Sequence, residues 1–139
     1  MRNNPPPNCS AAPFDDKDLL CWHATIIGPP NTPYEGGEFR LSIQLPIDYP
    51  NSPPEVIFCT DIYHPNIDND GEVFLSILYG DWSSSFSISE VLLAIYCLLI
   101  NPDLDNAIDG EIAGLYQQHR EEFEEIATQW TQKFAIRQD

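Results

Sequence analysis

The hydrophobic residues of this chain change their spacing once, near residue 87, and this change limits the folds open to it. Between Phe39 and Leu45, apolar and polar residues alternate strictly, which is typical of a strand with one buried face. From Val91 onward, apolar residues occur in a long run and then at helical spacing. Because strands come first and helices follow, the sequence predicts an α+β domain.

Two other segments of the first half also have strand character. Residues 19–27 are rich in β-branched and aromatic residues, and residues 56–58 form a short apolar run. Turn-forming residues fill the gaps at 28–33 and 46–54. Consecutive strands with short connections favour an antiparallel meander.

The two ends of the chain differ in character. Three consecutive prolines at Pro5–Pro7 favour an extended lead-in, so we expect residues 1–13 to form a Pro-rich extended segment before a domain at 14–139.

In the second half, Ser87 and Glu90 have the spacing of a capping box. They precede an apolar run that predicts a helix buried on most sides, and the last helix is predicted to be amphipathic with an acidic outer face.

Charge limits the possible partners. The 139 residues include 22 acidic and 6 basic ones, which gives a formal net charge of −16. Nucleic acids and anionic membrane surfaces require basic side chains, so neither is an expected partner. A field of this sign favours basic protein surfaces. The longest apolar stretch is too short to span a bilayer.

The four cysteines, Cys9, Cys21, Cys59 and Cys97, are scattered without a C-x-x-C pair. Neither a zinc site nor a disulfide framework is predicted. Cys97 lies in an apolar run and Cys21 in a strand-like one, so we expect buried or half-buried free thiols in a reducing compartment. The N-terminus has no apolar core typical of a secretory signal, and the expected location is the cytoplasm, the nucleus or both.

No metal or cofactor site is predicted. Asn66, Asp68, Asp70 and Gly71 occupy the first positions of a calcium loop, but Ile77 stands where a bidentate Glu is required. The segment therefore predicts a turn, in which Asp and Asn side chains bond their own backbone. Motifs of phosphate-binding loops and hydrolases are absent from the sequence.

Several segments, in order and at matching spacing, resemble the ubiquitin-conjugating enzymes. They are Trp22–Pro29, Pro33–Gly37, Asp48–Pro54, Ile62–Ile67, Trp82-Ser83 and Asn101-Pro102. The resemblance covers about residues 5–136 and is greatest to the small single-domain class that works with RING-type ligases. It implies a four-stranded antiparallel meander with C-terminal helices, in which the family's first helix is missing.

The main departure from the family pattern is at Phe74. Aligning Gly71 and Leu75 with the family puts its nucleophilic cysteine at this position. The family reaction needs a thiolate that takes ubiquitin as a thioester, and a phenyl ring has no nucleophilic atom. The resemblance therefore implies a pseudoenzyme with no catalytic residue.

Other positions of the family site have changed as well. His64, Pro65 and Asn66 of the family motif are retained, and we expect Asn66 to hold the neighbouring loop by hydrogen bonds instead of steadying an oxyanion. Ser76 and Asn106 replace acidic residues of the family site.

The surfaces that meet partners in the family differ too. The family's first helix meets the activating enzyme and shares the ligase-binding face, and without it apolar core surface should remain uncovered. The ligase-contact positions are polar, at Asn51, Ser84 and Ser85, which argues against ordinary ligase binding.

These observations predict a non-catalytic variant that acts as an adaptor, a stabilising subunit or a regulator in a ubiquitin-pathway complex. The expected partner is a ubiquitin ligase or another pathway subunit on the uncovered face, and ubiquitin itself is a second candidate. Two alternatives stay open. The chain could be an active enzyme that uses a displaced cysteine, with Cys59 as the best-placed one, or a decoy that inhibits active relatives.

Overall fold

The computed structural model describes residues 9–15, 18–78 and 80–136, except the side chains of residues 14, 15, 18, 19 and 106. Four strands form one sheet in chain order, each antiparallel to its neighbour. They are β1 (Cys9–Asp15), β2 (Asp18–Ile27), β3 (Glu38–Gln44) and β4 (Glu55–Phe58).

Helices follow the sheet along the chain. They are α1 (Ile88–Ile100), α2 (Gly110–Gln118) and α3 (Arg120–Trp130), and α3 continues into a π-helical turn at Thr131–Ala135. Two 3-10 turns, Ser76–Leu78 and Leu104–Asn106, flank α1 in sequence. The predicted α+β meander with C-terminal helices is confirmed. Within the described residues, no helix is long and apolar enough to span a membrane.

The core lies between one face of the sheet and the helices. On β3, Phe39, Leu41 and Ile43 are buried and alternate with more exposed residues, as the sequence predicts. They belong to one cluster with Leu92 and Ile95 of α1. Burial of this alternating set is the main force that fixes the register of the strands, because a slip of one residue would turn every apolar side chain outward.

The hydrophobic pattern of the sequence does not predict the strand β1. Its residues Cys9–Pro13 pair with β2, from Cys9 opposite Ile26 to Pro13 opposite Trp22. The end of the expected Pro-rich lead-in is therefore part of the sheet, and the expected boundary after Pro13 falls inside a strand. The prolines Pro5–Pro7 lie outside the described residues.

The helix α1 begins with the predicted capping box. Ser87 accepts a hydrogen bond from the Glu90 N–H, and the Glu90 side chain accepts one from the Ser87 N–H. Most of its residues are buried, but one stripe along the helix faces outward and includes Leu93, Cys97 and Ile100. The prediction that Cys97 is buried or half-buried was wrong, because a continuous apolar run does not indicate which side of a helix meets the sheet. Cys21 is half-buried, as predicted.

The last helix is amphipathic, as predicted. Phe123 and Ala127 are buried, and the acidic residues of α3 lie on its exposed side. The π-helical turn rotates the end of the helix, which leaves the side chain of Phe134 41% exposed although its spacing predicts a place in the core.

Candidate functional site

The ring of His64 closes the C-terminal end of α1. The side chain is fully buried, and its Nε2 lies 2.9 Å from the carbonyl oxygen of Leu98. In a continuing helix this carbonyl would accept the N–H of residue 102, but Pro102 has none. The imidazole N–H therefore supplies a bond that the helix itself lacks.

The bonds of His64 also determine its protonation. Its Nδ1 accepts the backbone N–H of Asn66 at 3.0 Å, so Nε2 carries the proton that is donated to Leu98. Burial lowers the pKa of His64 from 6.5 to about 4, although the hydrogen bond to Leu98 acts in the opposite direction. The ring is neutral at physiological pH and acts as a structural donor.

The side chain of Asn66 is bonded to the main chain of Asp103. Its Nδ2 donates to the Asp103 carbonyl at 2.8 Å, and its Oδ1 accepts the Asp103 N–H at 2.9 Å. The carbonyl of Pro65 accepts the N–H groups of Ile108 and Asp109. We refer to His64, Pro65 and Asn66 as the clamp, because together they hold the end of α1 and the chain leading into α2.

Phe74 lies next to the clamp. Its backbone N–H donates to the Asn66 carbonyl at 2.8 Å, and its side chain is 36% exposed. Ser76 is exposed at the start of the first 3-10 turn. Asn106 ends the second 3-10 turn, and its side chain lies outside the described part of the structure. The fold therefore brings Phe74 and Asn66 together through the backbone.

The segment Asp68–Gly71 forms the predicted turn. Asp68 Oδ1 accepts the N–H groups of Asp70 and Glu72, each at 2.9 Å. Gly71 has a φ of 87°, and a Cβ at this position would collide with the carbonyl oxygen of Phe58. No group of three or more potential metal ligands occurs among the described residues.

The three polar positions that the resemblance matches to ligase contacts in the family lie on two loops that touch. The indole N–H of Trp82 donates to the Pro50 carbonyl at 2.9 Å, which joins the loop of Asn51 to the loop of Ser84 and Ser85. All three residues are exposed. This surface therefore exists as one unit, but it presents hydroxyl and amide groups where an apolar partner would need aliphatic ones.

One end of the core is open. Leu20 and Trp22 lie on the same face of β2 as the buried Ala24, yet Leu20 is 37% exposed and Trp22 is half-buried. In the loop after β3, Ile47 is 93% exposed. Leu20, Trp22 and Ile47 therefore leave apolar side-chain surface in contact with solvent at this margin of the core.

None of the four thiols lies at position 74. Burial raises the pKa of the Cys9 thiol to about 11, which disfavours its thiolate. Cys59 is exposed just after β4. Glu72 bridges Ile57 of β4, whereas the next residue, Val73, bridges Ile67, so the chain has left β4 before it reaches Phe74.

Matching against protein-family models aligns residues 1–131 with the model described as ubiquitin-conjugating enzyme. The chain belongs to this family. The four-stranded antiparallel sheet followed by three α-helices agrees with the family fold. Membership implies a role among ubiquitin-pathway proteins.

The sequence analysis of this ubiquitin-conjugating enzyme relative found the clamp residues and expected Asn66 to hold a neighbouring loop, which its two bonds to Asp103 agree with, but it identified none of the clamp's partners. Their partners are main-chain atoms of Leu98, Asp103, Ile108 and Asp109. Main-chain partners have no side-chain signature, so no motif could have revealed them. The one usable signal is Pro102, because a proline just after a helix leaves a carbonyl that needs a donor.

Proposed function

We propose that this chain is a non-catalytic member of the ubiquitin-conjugating enzyme family and acts as an adaptor, a stabilising subunit or a regulator in a ubiquitin-pathway complex. The observation that carries the proposal is Phe74, at the position where the resemblance puts the nucleophilic cysteine. The family reaction needs a thiolate to attack the carboxyl end of activated ubiquitin, and a phenyl ring cannot do so.

The bonds of the clamp support the proposal. His64 and Asn66 are fully buried and bonded to the main chain of Leu98 and Asp103. These bonds give both residues a role in the fold that does not depend on the reaction. Their presence is therefore compatible with a chain that has lost the chemistry.

We place the partner at the open end of the core, on Leu20 and Ile47. Burying exposed aliphatic side chains favours association by about 25 cal/mol for each Å² removed from water. The partner would be a ubiquitin ligase or another pathway subunit in the cytoplasm, the nucleus or both. The net charge of −16 favours a basic surface on that partner.

The proposal is tested in a reconstituted reaction of ubiquitin, ATP, activating enzyme, ligase and an active family member. Adding this chain should change the rate of transfer or the length of the ubiquitin chains. Using it in place of the active member should give no product. Product formed with this chain as the only conjugating enzyme would overturn the proposal.

A matched pair of variants tests the partner surface in the same assay. The double variant Leu20→Lys/Ile47→Lys should abolish the effect of the added chain. Ile27→Lys changes an apolar residue that is 38% exposed on the other face of β2, and it should retain the effect. If Ile27→Lys alone abolishes it, the outer face of the sheet is the binding surface, and ubiquitin becomes the first candidate partner.

The second candidate function is transfer through a displaced cysteine, which the exposure of Cys59 favours. An adduct with ubiquitin that Cys59→Ser abolishes and Cys97→Ser retains would establish it.

A further inference from the structure

At the outer edge of the sheet, only the C-terminal end of β4 pairs with residues 71–73. A gap therefore opens beside the N-terminal end of the strand. Ile57 forms an isolated bridge with Glu72, and the Phe58 N–H donates to the Gly71 carbonyl at 2.8 Å. Beyond this point the two segments separate. The edge of β4 near its first residues is therefore left open.

The separation creates a cavity with an apolar floor. Val73 bridges Ile67 instead of continuing along β4, and a cavity of about 230 Å³ lies between them. Val56, Val73 and Leu78 line it, and they are 4%, 2% and 7% exposed. Small-molecule sites usually have volumes of roughly 300–1,000 Å³, so this cavity suits one aliphatic side chain better than a cofactor.

A backbone donor faces the cavity. Along β4, the Cys59 N–H is directed to the Arg40 carbonyl on the β3 side, and the Phe58 N–H is directed to Gly71 on the other side. Because N–H groups alternate in direction along a strand, that of Val56 points into the gap. No carbonyl of residues 71–73, all of which the structure describes, accepts the Val56 N–H. An unpaired donor at a strand edge is a site where another extended chain can bind.

The rim of the cavity is acidic. Glu55 and Glu72 both line it, and both are exposed. Their carboxylates form no ion pair or hydrogen bond with the other described side chains. Two free carboxylates beside an apolar floor match a ligand that carries an aliphatic side chain between cations.

We propose that this cavity binds an extended basic segment of a partner protein. One aliphatic side chain would fill the cavity, a backbone carbonyl would accept the Val56 N–H, and lysine or arginine on either side would pair with Glu55 and Glu72. A helix would leave the Val56 N–H unpaired, and a second copy of this chain would bring another net charge of −16 to an acidic rim. The inference rests on residues other than those of the proposed function, so each can fail alone.

The experiment uses the full chain and a capped peptide of sequence Lys-Lys-Val-Lys-Lys, followed by NMR. Binding should shift the amide signal of Val56 and the methyl signals of Val56, Val73 and Leu78. A peptide with Gly in place of Val should bind at least about tenfold more weakly, because it leaves the apolar floor uncovered. A peptide with Glu in place of Lys should not bind.

Charge reversal on the protein tests the rim. Glu55→Lys/Glu72→Lys should weaken binding of the valine peptide about tenfold through the loss of two exposed ion pairs. The control Glu121→Lys/Glu124→Lys makes the same change in net charge on the exposed side of α3 and should bind as the unaltered chain does. The amide spectra of both variants check that each is folded.

Three results would overturn the inference. They are equal weakening by the two double variants, equal affinity for the valine and glycine peptides, and shifts that fall outside the cavity. Absence of any shift at millimolar peptide would overturn it too.

Discussion

The clamp and the stretch that follows it, Phe74 to Ser76, are neighbours in the fold but differ in how the rest of the protein uses them. His64 and Asn66 are 0% exposed, and their polar atoms bond to the main chain of distant segments. Phe74 and Ser76 are exposed, and Phe74 is held to the clamp by its backbone N–H. The comparison separates two buried residues that are bonded to distant main-chain segments from two exposed residues that lie beside them.

The largest effect should come from Asn66→Ala. It removes both hydrogen bonds between the fully buried Asn66 side chain and the Asp103 main chain, and we expect a loss of about 3 kcal/mol from the free energy of unfolding. Asn69→Ala changes an exposed asparagine of the same hairpin and should cost less than about 0.5 kcal/mol. Urea denaturation of both variants measures the two losses. Equal small losses would mean that the clamp contributes no more to stability than an exposed residue does.

The second prediction concerns pH and His64. Because its pKa is lowered to about 4 in the folded chain, the unfolded chain takes up the proton first as pH falls from about 6.5. The contribution of neutral His64 to the free energy of unfolding is complete above pH 6.5. It should fall by roughly 2 kcal/mol by pH 5. Denaturation at several pH values should give a steeper loss for the unaltered chain than for His64→Gln. His23→Gln keeps His64 and should keep the steep loss.

A smaller effect is expected at Phe74. Phe74→Ala removes a partly exposed ring but leaves the N–H bond to Asn66 in place, so the cost should be about 1–2 kcal/mol, below the usual 3–5 for a buried Phe. Thermal denaturation checks the value. A cost equal to that of Asn66→Ala would mean that the Phe74 side chain stabilises the fold as much as the clamp residue Asn66 does.

The smallest effect is expected from Ser76→Asp, which puts an acidic residue where the resemblance to the family suggests one. Ser76 is exposed, so the free energy of unfolding should change by less than about 0.5 kcal/mol. Measured beside Ser84→Ala, at another exposed serine, it shows whether the two serines are equally tolerant. A loss above 1 kcal/mol confined to Ser76→Asp would show that an acid is now excluded there.

The parts of the fold that the sequence predicted are those with a local signal. Alternation predicted β3, the Ser87 and Glu90 pair predicted the start of α1, and the Asp68–Gly71 turn followed from its Asx and Gly residues. The strand β1 was not predicted, because Cys, Ala and Pro in Cys9–Pro13 have no strand pattern and the segment becomes a strand by pairing with β2.

The positions of the site and a loop-holding role for Asn66 were predictable, but the bonding partners were not. The resemblance gave His64, Asn66 and Phe74, whereas the bonds from Asn66 to Asp103 join residues far apart in the chain. The exposure of Cys97 could not be predicted either, because its neighbours on both sides along the chain are apolar or aromatic. Contacts of these kinds depend on how elements pack, which no local pattern records.

We infer that the clamp serves the fold while position 74 carries no nucleophile. The most direct test incubates the unaltered chain with ubiquitin, ATP and activating enzyme and measures its intact mass before and after thiol treatment, beside an active family member. We expect no thiol-sensitive ubiquitin adduct on this chain while the active member is charged. A thiol-sensitive adduct on this chain would contradict it.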